Sequence, residues 1–495
     1  MSALTLRDHQ SADVESARAA FRAGNMNVVL VAPTGAGKTI IGAFLLNECN
    51  KKFRRAIFVV DRTALIEQTS AVLDSYDIPH GIIQAQHWRF RPYERIQVAS
   101  IQTLARRQWP ADIDLIIIDE CHCLHKAVAD RIASKTTRTL GLTATPFTRG
   151  LGKHYDALVG VTTTNRLIAD KFLVPFRIFA ASEPDMTSAK VTAGEWSDNE
   201  AAARSMPIVG DVVAEYLKLG EGRKFIAFGA NVAHCEELQR QFMAAGVVAE
   251  LYTYRVGDDA RSAMVTEFRK PDSYIRGLIS VAALSKGFDV SDVGCIIMAR
   301  PLRSSLAEHI QILGRGLRIH PGKADCIVLD HSGNCVRFWH AMQDFFERGA
   351  SKLDDGNPRE KKPANTKEKQ PTKCPKCFHV HDPAPACPAC GFSYPAKASG
   401  VEYVEGTLAE LVASGNQATL SRDVWPQIVG LALEFGKGEK WALSQYKAIT
   451  GAWPMREFAT TEPVPATKQV RGKVKQLFIA WQKRTGRASE GRASA

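Results

Sequence analysis

The stretch APTGAGKT, residues 32–39, carries the residue types that bind the phosphates of a nucleotide. It follows an apolar run typical of a strand and precedes TIIGAFLLNEC, which is typical of a helix. Glycines in such a loop let the backbone fold around phosphates, so that several N–H groups point at them. Lys38 would reach the outer phosphates, and Thr39 would bind Mg²⁺. Ala32 stands where the usual eight-residue pattern begins with Gly, so the predicted phosphate loop consists of Pro33, Thr34, Gly35, Ala36, Gly37, Lys38 and Thr39.

The stretch LIIIDECHCLH, residues 115–125, is an apolar strand pattern that ends in two acids. Ligands bind at the carboxyl ends of strands in open α/β sheets, so both carboxylates would face the nucleotide. Asp119 would hold Mg²⁺, Glu120 would orient or deprotonate the attacking water, and His122 would couple this site to a neighbouring domain. The alternative is a metal site, which we disfavour because the spacing CxCxH is unusual for zinc. That alternative would use Cys121, His122, Cys123 and His125.

A third stretch, QILGRGLR at residues 311–318, places two arginines three residues apart. On a helix Arg315 and Arg318 would share a face, and Gln311 would lie one turn earlier on it. Arginines reaching across a cleft to the γ-phosphate would stabilise the charge that develops during its transfer. A solvated basic helix is the alternative, and the two motifs upstream favour the catalytic interpretation.

Two CxxC pairs, CPKC and CPAC, are separated by nine residues and predict a zinc site. Four thiolates fill a tetrahedral shell and leave no position for water, so the zinc would be structural. A block this short needs the metal to fold. The predicted ligands are Cys374, Cys377, Cys387 and Cys390.

The elements that must position these residues alternate between short β-branched runs and helical patterns. Such alternation predicts an α/β fold with parallel sheets covered by helices, in two tandem units. A charged, Pro-containing linker separates them from the Cys-rich block and from a helical, basic C-terminal region. The predicted segments are a first domain (1–180), a connecting segment (181–205), a second domain (206–345), the linker (346–372), the zinc ribbon (373–395) and the C-terminal region (396–495).

Composition limits the class of protein. A chain of 495 residues with 45% hydrophobic and 23% charged residues is typical of a soluble protein with several domains. We expect no membrane span and no signal peptide, since the chain has no apolar run of about 20 residues and no cationic start. The 11 cysteines are scattered apart from one cluster, which indicates a reducing compartment. The net charge of +12 permits an anionic partner.

The motifs together resemble those of the superfamily 2 helicases of the DExH kind, in the family's order, over residues 4 to about 340. APTGAGKT resembles motif I, DECH motif II, VVDRTALIEQT motif Ia, GLTATP motif III, KFIAFGANVAHCEEL motif IV, ALSKGFDVSDV motif V and QILGRGLR motif VI. The resemblance implies two RecA-like domains with ATP and Mg²⁺ between them. It also implies that Arg7 and Gln10, in LRDHQ, lie near the adenine base of ATP. Gly287 and Asp289 would line the cleft between the two domains.

The subgroup resembled is the RadD-like and phage-type helicases, which carry zinc-binding Cys pairs after the motor. This resemblance implies an ATP-dependent DNA helicase or translocase in repair, recombination or replication, acting on single-stranded or branched DNA. It implies the cytoplasm of a bacterium, or of the host if the protein is phage-encoded. An RNA-remodelling helicase, the motor subunit of a restriction-type complex and a nucleotide-switched binding module remain as alternatives.

The C-terminal region carries GEKWALSQYKAITGAWP, which resembles an element of related phage-type helicases. Trp441, Tyr446 and Trp453 lie among Lys440 and Lys447, so this region could stack on bases and bind phosphates. The alternative is a small helical core with solvated lysines, which we favour. A protein partner could bind the zinc ribbon or this region.

Overall fold

The computed structural model describes residues 4–61, 63–180, 183–281, 284, 290–356, 371–394, 416–450, 453–454, 457–467, 470–475 and 477. The chain divides into two compact units, Met1–Ala396 and Lys397–Ala495. In the residues described, each helix is too short or too polar to cross a bilayer.

The first domain is built on a seven-stranded parallel sheet with the order β3-β4-β2-β5-β6-β1-β7. The central strands are buried on both faces, which explains why their sequences are continuous apolar runs. The strands are β1 (Asn27–Val31), β2 (Ala56–Val60), β3 (Gly81–Ile83), β4 (Ile96–Ser100), β5 (Leu115–Asp119), β6 (Arg138–Thr143) and β7 (Ala157–Val159).

Helices cover both faces of this sheet and bury two apolar layers against it. The helices of this part of the chain are α1 (Asp8–Arg22), α2 (Lys38–Lys51), α3 (Thr63–Ser75), α4 (Ile101–Leu104), α5 (Lys126–Ala133) and α6 (Thr164–Ala169).

The second domain is built on a six-stranded parallel sheet with the order β12-β13-β11-β14-β15-β8. Two tandem parallel sheets therefore confirm the predicted fold class. Two short strands, β9 and β10, form a separate hairpin ahead of this sheet. The strands are β8 (Phe176–Ala180), β9 (Val191–Thr192), β10 (Glu195–Trp196), β11 (Phe225–Gly229), β12 (Ala249–Leu251), β13 (Gly277–Ser280), β14 (Cys295–Ala299) and β15 (Cys326–Asp330).

Strand β8 differs from the sequence-based segmentation, which placed residues up to 180 in the first domain. It pairs in parallel with β15 along Phe176–Ala180 and forms an edge of the second sheet. The helices of the second domain are α7 (Asp198–Ser205), α8 (Val209–Leu219), α9 (Val232–Ala244), α10 (Asp258–Phe268), α11 (Leu306–Leu313), α12 (Asn334–Arg337) and α13 (Trp339–Arg348).

The Cys-rich block packs against the outer side of β8. Its strands β16 (Thr372–Lys373) and β17 (Val380–His381) pair antiparallel. The Ala180 N–H donates to the Phe378 carbonyl at 2.9 Å, and Phe179 forms a bridge with His379. The Trp339 indole N–H of α13 donates to the Asp382 carboxylate at 2.8 Å. The block therefore packs against the second domain and is not held by the linker alone.

The second unit contains the helices α14 (Asn416–Glu434) and α15 (Glu439–Thr450). Its core is formed by Trp425, Ile428, Ala442 and Tyr446, with Val470 and Val474 contributed from further along the chain. The Trp425 indole N–H donates to the Thr461 hydroxyl at 3.0 Å, so a loop after α15 is also tied to this core.

Candidate nucleotide-hydrolysis site

The phosphate loop joins the carboxyl end of β1 to the first turn of α2. Gly35 and Gly37 have φ angles of 89° and 88°, in the left-handed region where a side chain is strained. Gly37 is the residue before α2, so the loop presents its N–H groups at a helix N-terminus, where an anion is favoured. Lys38 and Thr39 are the first two residues of α2 and face the same end.

The two acids lie at the carboxyl end of β5, which is separated from β1 by β6 alone in the sheet. Lys38 Nζ lies 3.8 Å from Glu120 Oε1, and both side chains are largely buried. The Glu120 N–H donates to Asp119 Oδ1 at 3.0 Å. Glu120 has a φ of 48°, an unusual backbone angle for a residue with a long side chain. The sheet thus brings the loop lysine and the acid pair together.

The charges of this cluster move the pKa values of the two carboxyls apart. Burial raises the pKa of Asp119, and the neighbouring Glu120 charge raises it further. Burial also acts to raise the pKa of Glu120, but Lys38, His122 and Arg315 outweigh it and leave that pKa below its ordinary value. Glu120 is therefore ionised at neutral pH. Asp119 lies in the negative electrostatic field of Glu120, which a divalent cation would neutralise.

His122 connects the acid pair to the second domain. Its Nδ1 lies 2.9 Å from the Thr143 hydroxyl and 3.2 Å from Glu120 Oε2. Its Nε2 lies 3.2 Å from Gln311 Nε2. Burial acts to lower the pKa of His122, but its partners, Glu120 among them, raise it to about 9.

Gln311, on α11, completes the contact between the domains. Besides His122, its amide N–H₂ contacts the Thr145 hydroxyl at 3.1 Å, and its side chain is buried. Thr143 and Thr145 lie at the carboxyl end of β6, within the GLTATP stretch. One buried amide therefore reaches both the DECH stretch and the GLTATP stretch of the first domain.

The GRGLR segment packs directly on the phosphate loop. The prediction that Arg315 and Arg318 share a helix face with Gln311 was wrong, because α11 ends at Leu313 and the backbone then turns, so that Arg318 forms a bridge with Leu173. A Cβ added to Gly314 would lie 2.7 Å from Thr34 Cγ2, so only glycine leaves room for the loop. Leu317 packs with Ala32 and Ala36 of the loop. The Arg315 charge contributes to lowering the pKa of Glu120, which places this arginine within electrostatic reach of the acid.

Arg318 lies beside the same loop, and a Cβ on Gly35 would lie 3.8 Å from its Cγ. Burial, together with the Arg269 charge, lowers the pKa of Arg318 to about 10. An anion at this position would reverse that shift. Gly287 and Asp289, which the sequence places in the cleft, lie outside the described residues.

The start of α1 lies against the other side of the phosphate loop. Gln10 Nε2 donates to the Ala36 carbonyl at 3.0 Å, and the Arg7 N–H donates to Gln10 Oε1 at 3.0 Å. The Arg7 guanidinium lies 5.0 Å from the centre of the Phe172 ring, and the His9 ring lies 4.8 Å from it. This group of side chains offers a flat, partly apolar wall beside the loop.

The sequence did not single out Phe172, Leu173, Thr143 or Thr145 as site residues. The two threonines could have been found, because they are polar residues at the carboxyl end of a buried strand. Phe172 and Leu173 carry no local signal, since an apolar pair before a strand looks like ordinary core. A Cβ on Gly35 would lie 2.8 Å from Leu173 Cδ2, so Leu173 helps to close the loop from outside.

The four cysteines of the ribbon converge as predicted from their spacing. Their Sγ atoms all lie within 4.8 Å of one another, and Cys374–Cys390 and Cys377–Cys387 are each 3.6 Å apart. A tetrahedron with Zn–S bonds of about 2.3 Å has edges of roughly 3.8 Å, so the donor set fits zinc. Within the described residues, no such cluster forms around Cys121, which is buried in the core.

Two parallel-sheet domains joined across a phosphate loop, an acid pair and an arginine segment define the class of nucleotide-hydrolysing RecA-like motors. The first domain matches the family model "Type III restriction enzyme, res subunit" over residues 3–148. The second matches "Helicase conserved C-terminal domain" over residues 209–320.

Two relatives each match about two thirds of this chain. A 51.5 kDa protein of a Lactococcus phage is 27% identical over 348 residues, which are 66% of this chain and 72% of that protein. IRC3 of Saccharomyces cerevisiae, named as an ATP-dependent helicase, is 26% identical over 67% of this chain and 52% of its own length. This chain thus spans about half of the yeast relative.

Among solved structures, a fragment of an HsdR subunit of a type I restriction enzyme from Vibrio vulnificus shares the fold. It has a TM-score of 0.57 and 19% identity, and the match covers 71% of this chain and 69% of that one. The two family models and the helicase relative together support an ATP-hydrolysing helicase of the superfamily 2, DExH type.

Proposed function

We propose that this helicase is a DNA-dependent motor that moves along or unwinds single-stranded or branched DNA during repair, recombination or replication. The observation that carries the proposal is the contact series Glu120–His122–Gln311, because it joins the proposed hydrolytic acid of one domain to helix α11 of the other, directly before the GRGLR segment. Such a link lets the state of the phosphate site change how the two domains sit, which is what a stepping motor needs.

Each residue of the site has a role in the proposed hydrolysis. The N–H groups of the loop and Lys38 hold the phosphates, while Thr39 and Asp119 are the oxygen donors that would hold Mg²⁺, which neutralises phosphate charge. Glu120 accepts the proton of the attacking water or orients it, since it is ionised and points at Lys38. Arg315 and Arg318 stabilise the charge that develops on the γ-phosphate, and Gln311 positions His122.

The proposal also covers the binding of the adenine base and of zinc. Arg7 and Gln10, with the Phe172 wall, would contact the adenine. The four cysteines would hold a structural Zn²⁺, because they fill all four positions and leave none for a substrate.

The names of the matched family model and of a similar structure favour DNA over RNA as the substrate. The family model of the first domain and the Vibrio structure are both named for restriction enzymes, which supports DNA as the track. The same names support a second candidate, the motor subunit of a restriction-type complex, whose nuclease would come from a partner. We place the enzyme in the cytoplasm of a bacterium, or of a phage host.

The test is ATP turnover by the full chain with no nucleic acid, single-stranded DNA, duplex DNA, forked DNA and RNA. Glu120→Gln keeps the size of the side chain but removes the carboxylate proposed to act as the general base. We expect it to lower stimulated turnover by about 100-fold or more, the usual contribution of a general base, while nucleotide binding persists. Binding is measured with a fluorescent ATP analogue.

The outcomes separate the candidates. Stimulation by one DNA form, lost in Glu120→Gln, supports the DNA motor and names its track. Stimulation mainly by RNA replaces DNA with RNA in the proposal. A zinc-loaded, folded protein that no nucleic acid stimulates would contradict the simple motor and favour the subunit of a larger complex.

A further inference from the structure

The helix α15 of the C-terminal unit has two chemically different faces. Ala442 and Tyr446 point into the core, and the Tyr446 ring lies 5.3 Å from the ring of Trp425. The opposite face carries residues spaced by three and four along the helix, which is the spacing of a single face. Those residues are Lys440, Leu443, Ser444, Lys447 and Ala448.

Trp453 closes this face into a groove. Lys447 Nζ lies 4.2 Å from the centre of the Trp453 ring, a cation–π distance. Trp453 nevertheless remains 59% exposed, whereas Tyr446 of α15 is only 2% exposed. With the α15 residues it lines a cavity of about 490 Å³. An exposed tryptophan held in place by a lysine is arranged to contact something other than its own core.

The charges and surfaces of this groove identify the occupant. Both charged side chains among its lining residues are lysines, and no acid lines it in the part of the unit that the structure describes. The lysines lie seven residues apart on one face, which corresponds to about 10 Å along the helix. Between them lie a small alkyl surface and the open tryptophan ring. Cations that flank an exposed aromatic face suit a strand with phosphates and unstacked bases.

The unit as a whole has the same bias. Residues 397–495 contain fourteen Lys or Arg and nine Asp or Glu, and eight of the basic residues lie after residue 467. Of the three aromatics that the sequence placed among the lysines, Tyr446 is buried and Trp441 packs partly against the core. Trp453 is left as the stacking residue.

We propose that the groove formed by Lys440, Leu443, Ser444, Lys447, Ala448 and Trp453 is a second binding site for single-stranded nucleic acid, separate from the motor's own track. A base would stack on Trp453, and adjacent phosphates would contact Lys440 and Lys447. The inference rests on the proposed function, since it gives the motor a tether to the strand on which it works. Duplex would bind the groove poorly, because its bases are already stacked.

The test uses the full chain and a fluorescently labelled oligothymidylate, with anisotropy measured in the absence of nucleotide at several salt concentrations. The variants are Trp453→Ala, Trp453→Phe and the double variant Lys440→Ala with Lys447→Ala. Lys437→Ala is the matched control, an exposed lysine of the same unit outside the groove. Equal thermal unfolding of all variants establishes that the fold is kept.

We expect Trp453→Ala to weaken binding by about 5- to 100-fold, the usual effect of losing one stacked base, and Trp453→Phe to retain most of it. The double lysine variant should reduce the slope of log K against log salt by roughly 1.4, since each phosphate contact on a single strand contributes about 0.7. Lys437→Ala should leave the slope unchanged. Photo-crosslinking with 5-iodouracil in the strand should label Trp453.

Three results overturn the inference. The first is unchanged affinity and slope in all groove variants, with crosslinks confined to the motor. The second is equal weakening in Lys437→Ala, which would show a diffuse charge effect. The third is groove-dependent binding of an acidic peptide that oligothymidylate does not compete for. Stimulated ATP turnover in the wild type, measured in parallel, shows whether the proposed motor stands when the groove fails.

Discussion

Glu120, the residue that we propose activates the attacking water, is held in a costly environment. Glu120 is buried, lies in the left-handed region at a φ of 48°, and is ionised beside Lys38. A buried charge without a partner would cost several kcal/mol, so the lysine and His122 must offset its desolvation. Strain of this kind concentrates where a side chain must point in one direction for chemistry. The backbone turn is what aims Glu120 at the phosphate loop.

Gln311 is the residue that we propose couples the two domains. In Gln311→Ala the contacts to His122 and Thr145 are lost, and the buried Thr145 hydroxyl loses the N–H group that donates to it, which costs about 1–3 kcal/mol. We expect basal ATP turnover to change little and nucleic-acid stimulation to fall by roughly tenfold. The ratio of stimulated to basal turnover measures this.

The control for this change is Gln239→Ala, in the same domain but with a bond to the Ala249 carbonyl instead of to the other domain. It should leave the stimulation ratio intact. Equal loss in both variants would contradict a coupling role for Gln311 and indicate general destabilisation of the second domain.

Residue-level prediction from the sequence depends on local signals. Lys38, Asp119 and the ribbon cysteines follow from spacing and from their position after an apolar strand or in a tight turn. The pairing of His122 with Gln311 joins residues 189 positions apart, so no local pattern contains it. The sequence suggested from the position of His122 beside the two acids that it couples the phosphate site to a neighbouring domain, and in the structure its contact in that domain is Gln311.

At the scale of elements, β8 shows why segmentation by pattern is limited. The run around Phe176–Ala180 resembles any buried strand, and its sheet is decided by pairing with β15, about 150 residues later. The central strands β1 and β2 follow continuous runs of apolar residues, since burial on both faces of a parallel sheet leaves a clear signature. Short edge strands such as β3 and β12 lack that signature.

The ribbon strands against β8 lead to a prediction about metal removal. Zinc in such sites contributes folding free energy directly, so chelation should unfold the block and release its hydrogen bond with Ala180. We expect hydrogen exchange at the Ala180 amide to accelerate by roughly tenfold or more after chelation. Exchange mass spectrometry with and without a chelator measures it.

Strand β12, at the opposite edge of the same sheet, is the internal control because it does not contact the ribbon. Cys374→Ser should reproduce the effect of the chelator. Unchanged exchange at β8 in both conditions would mean that the ribbon docks without help from a metal.

At the scale of the whole motor unit, the two domains come into close contact at a glycine. Gly314 lies so close to Thr34 that Gly314→Ala would hold the GRGLR segment away from the phosphate loop. Overpacking of this kind costs about 1–3 kcal/mol, so we expect kcat to fall by roughly tenfold with both domains still folded. ATP turnover and thermal unfolding are measured together.

Gly210→Ala is the matched control, because it lies in α8 and an added Cβ there would meet nothing within 4 Å. It should leave turnover unchanged and slightly favour the helix. A wild-type kcat in Gly314→Ala would show that hydrolysis does not require the close contact seen between the two segments. The importance of this glycine could not be read from the sequence, since its neighbour belongs to the other domain.

The docking of the ribbon on β8 also bears on how copies of this protein meet one another. An uncovered parallel edge presents a row of unpaired N–H and C=O groups, which other chains can extend into shared sheets. The ribbon occupies part of that edge with its own backbone. A preparation depleted of metal, or truncated before the cysteines, should therefore lose material to aggregates well before it loses its ability to bind nucleotide.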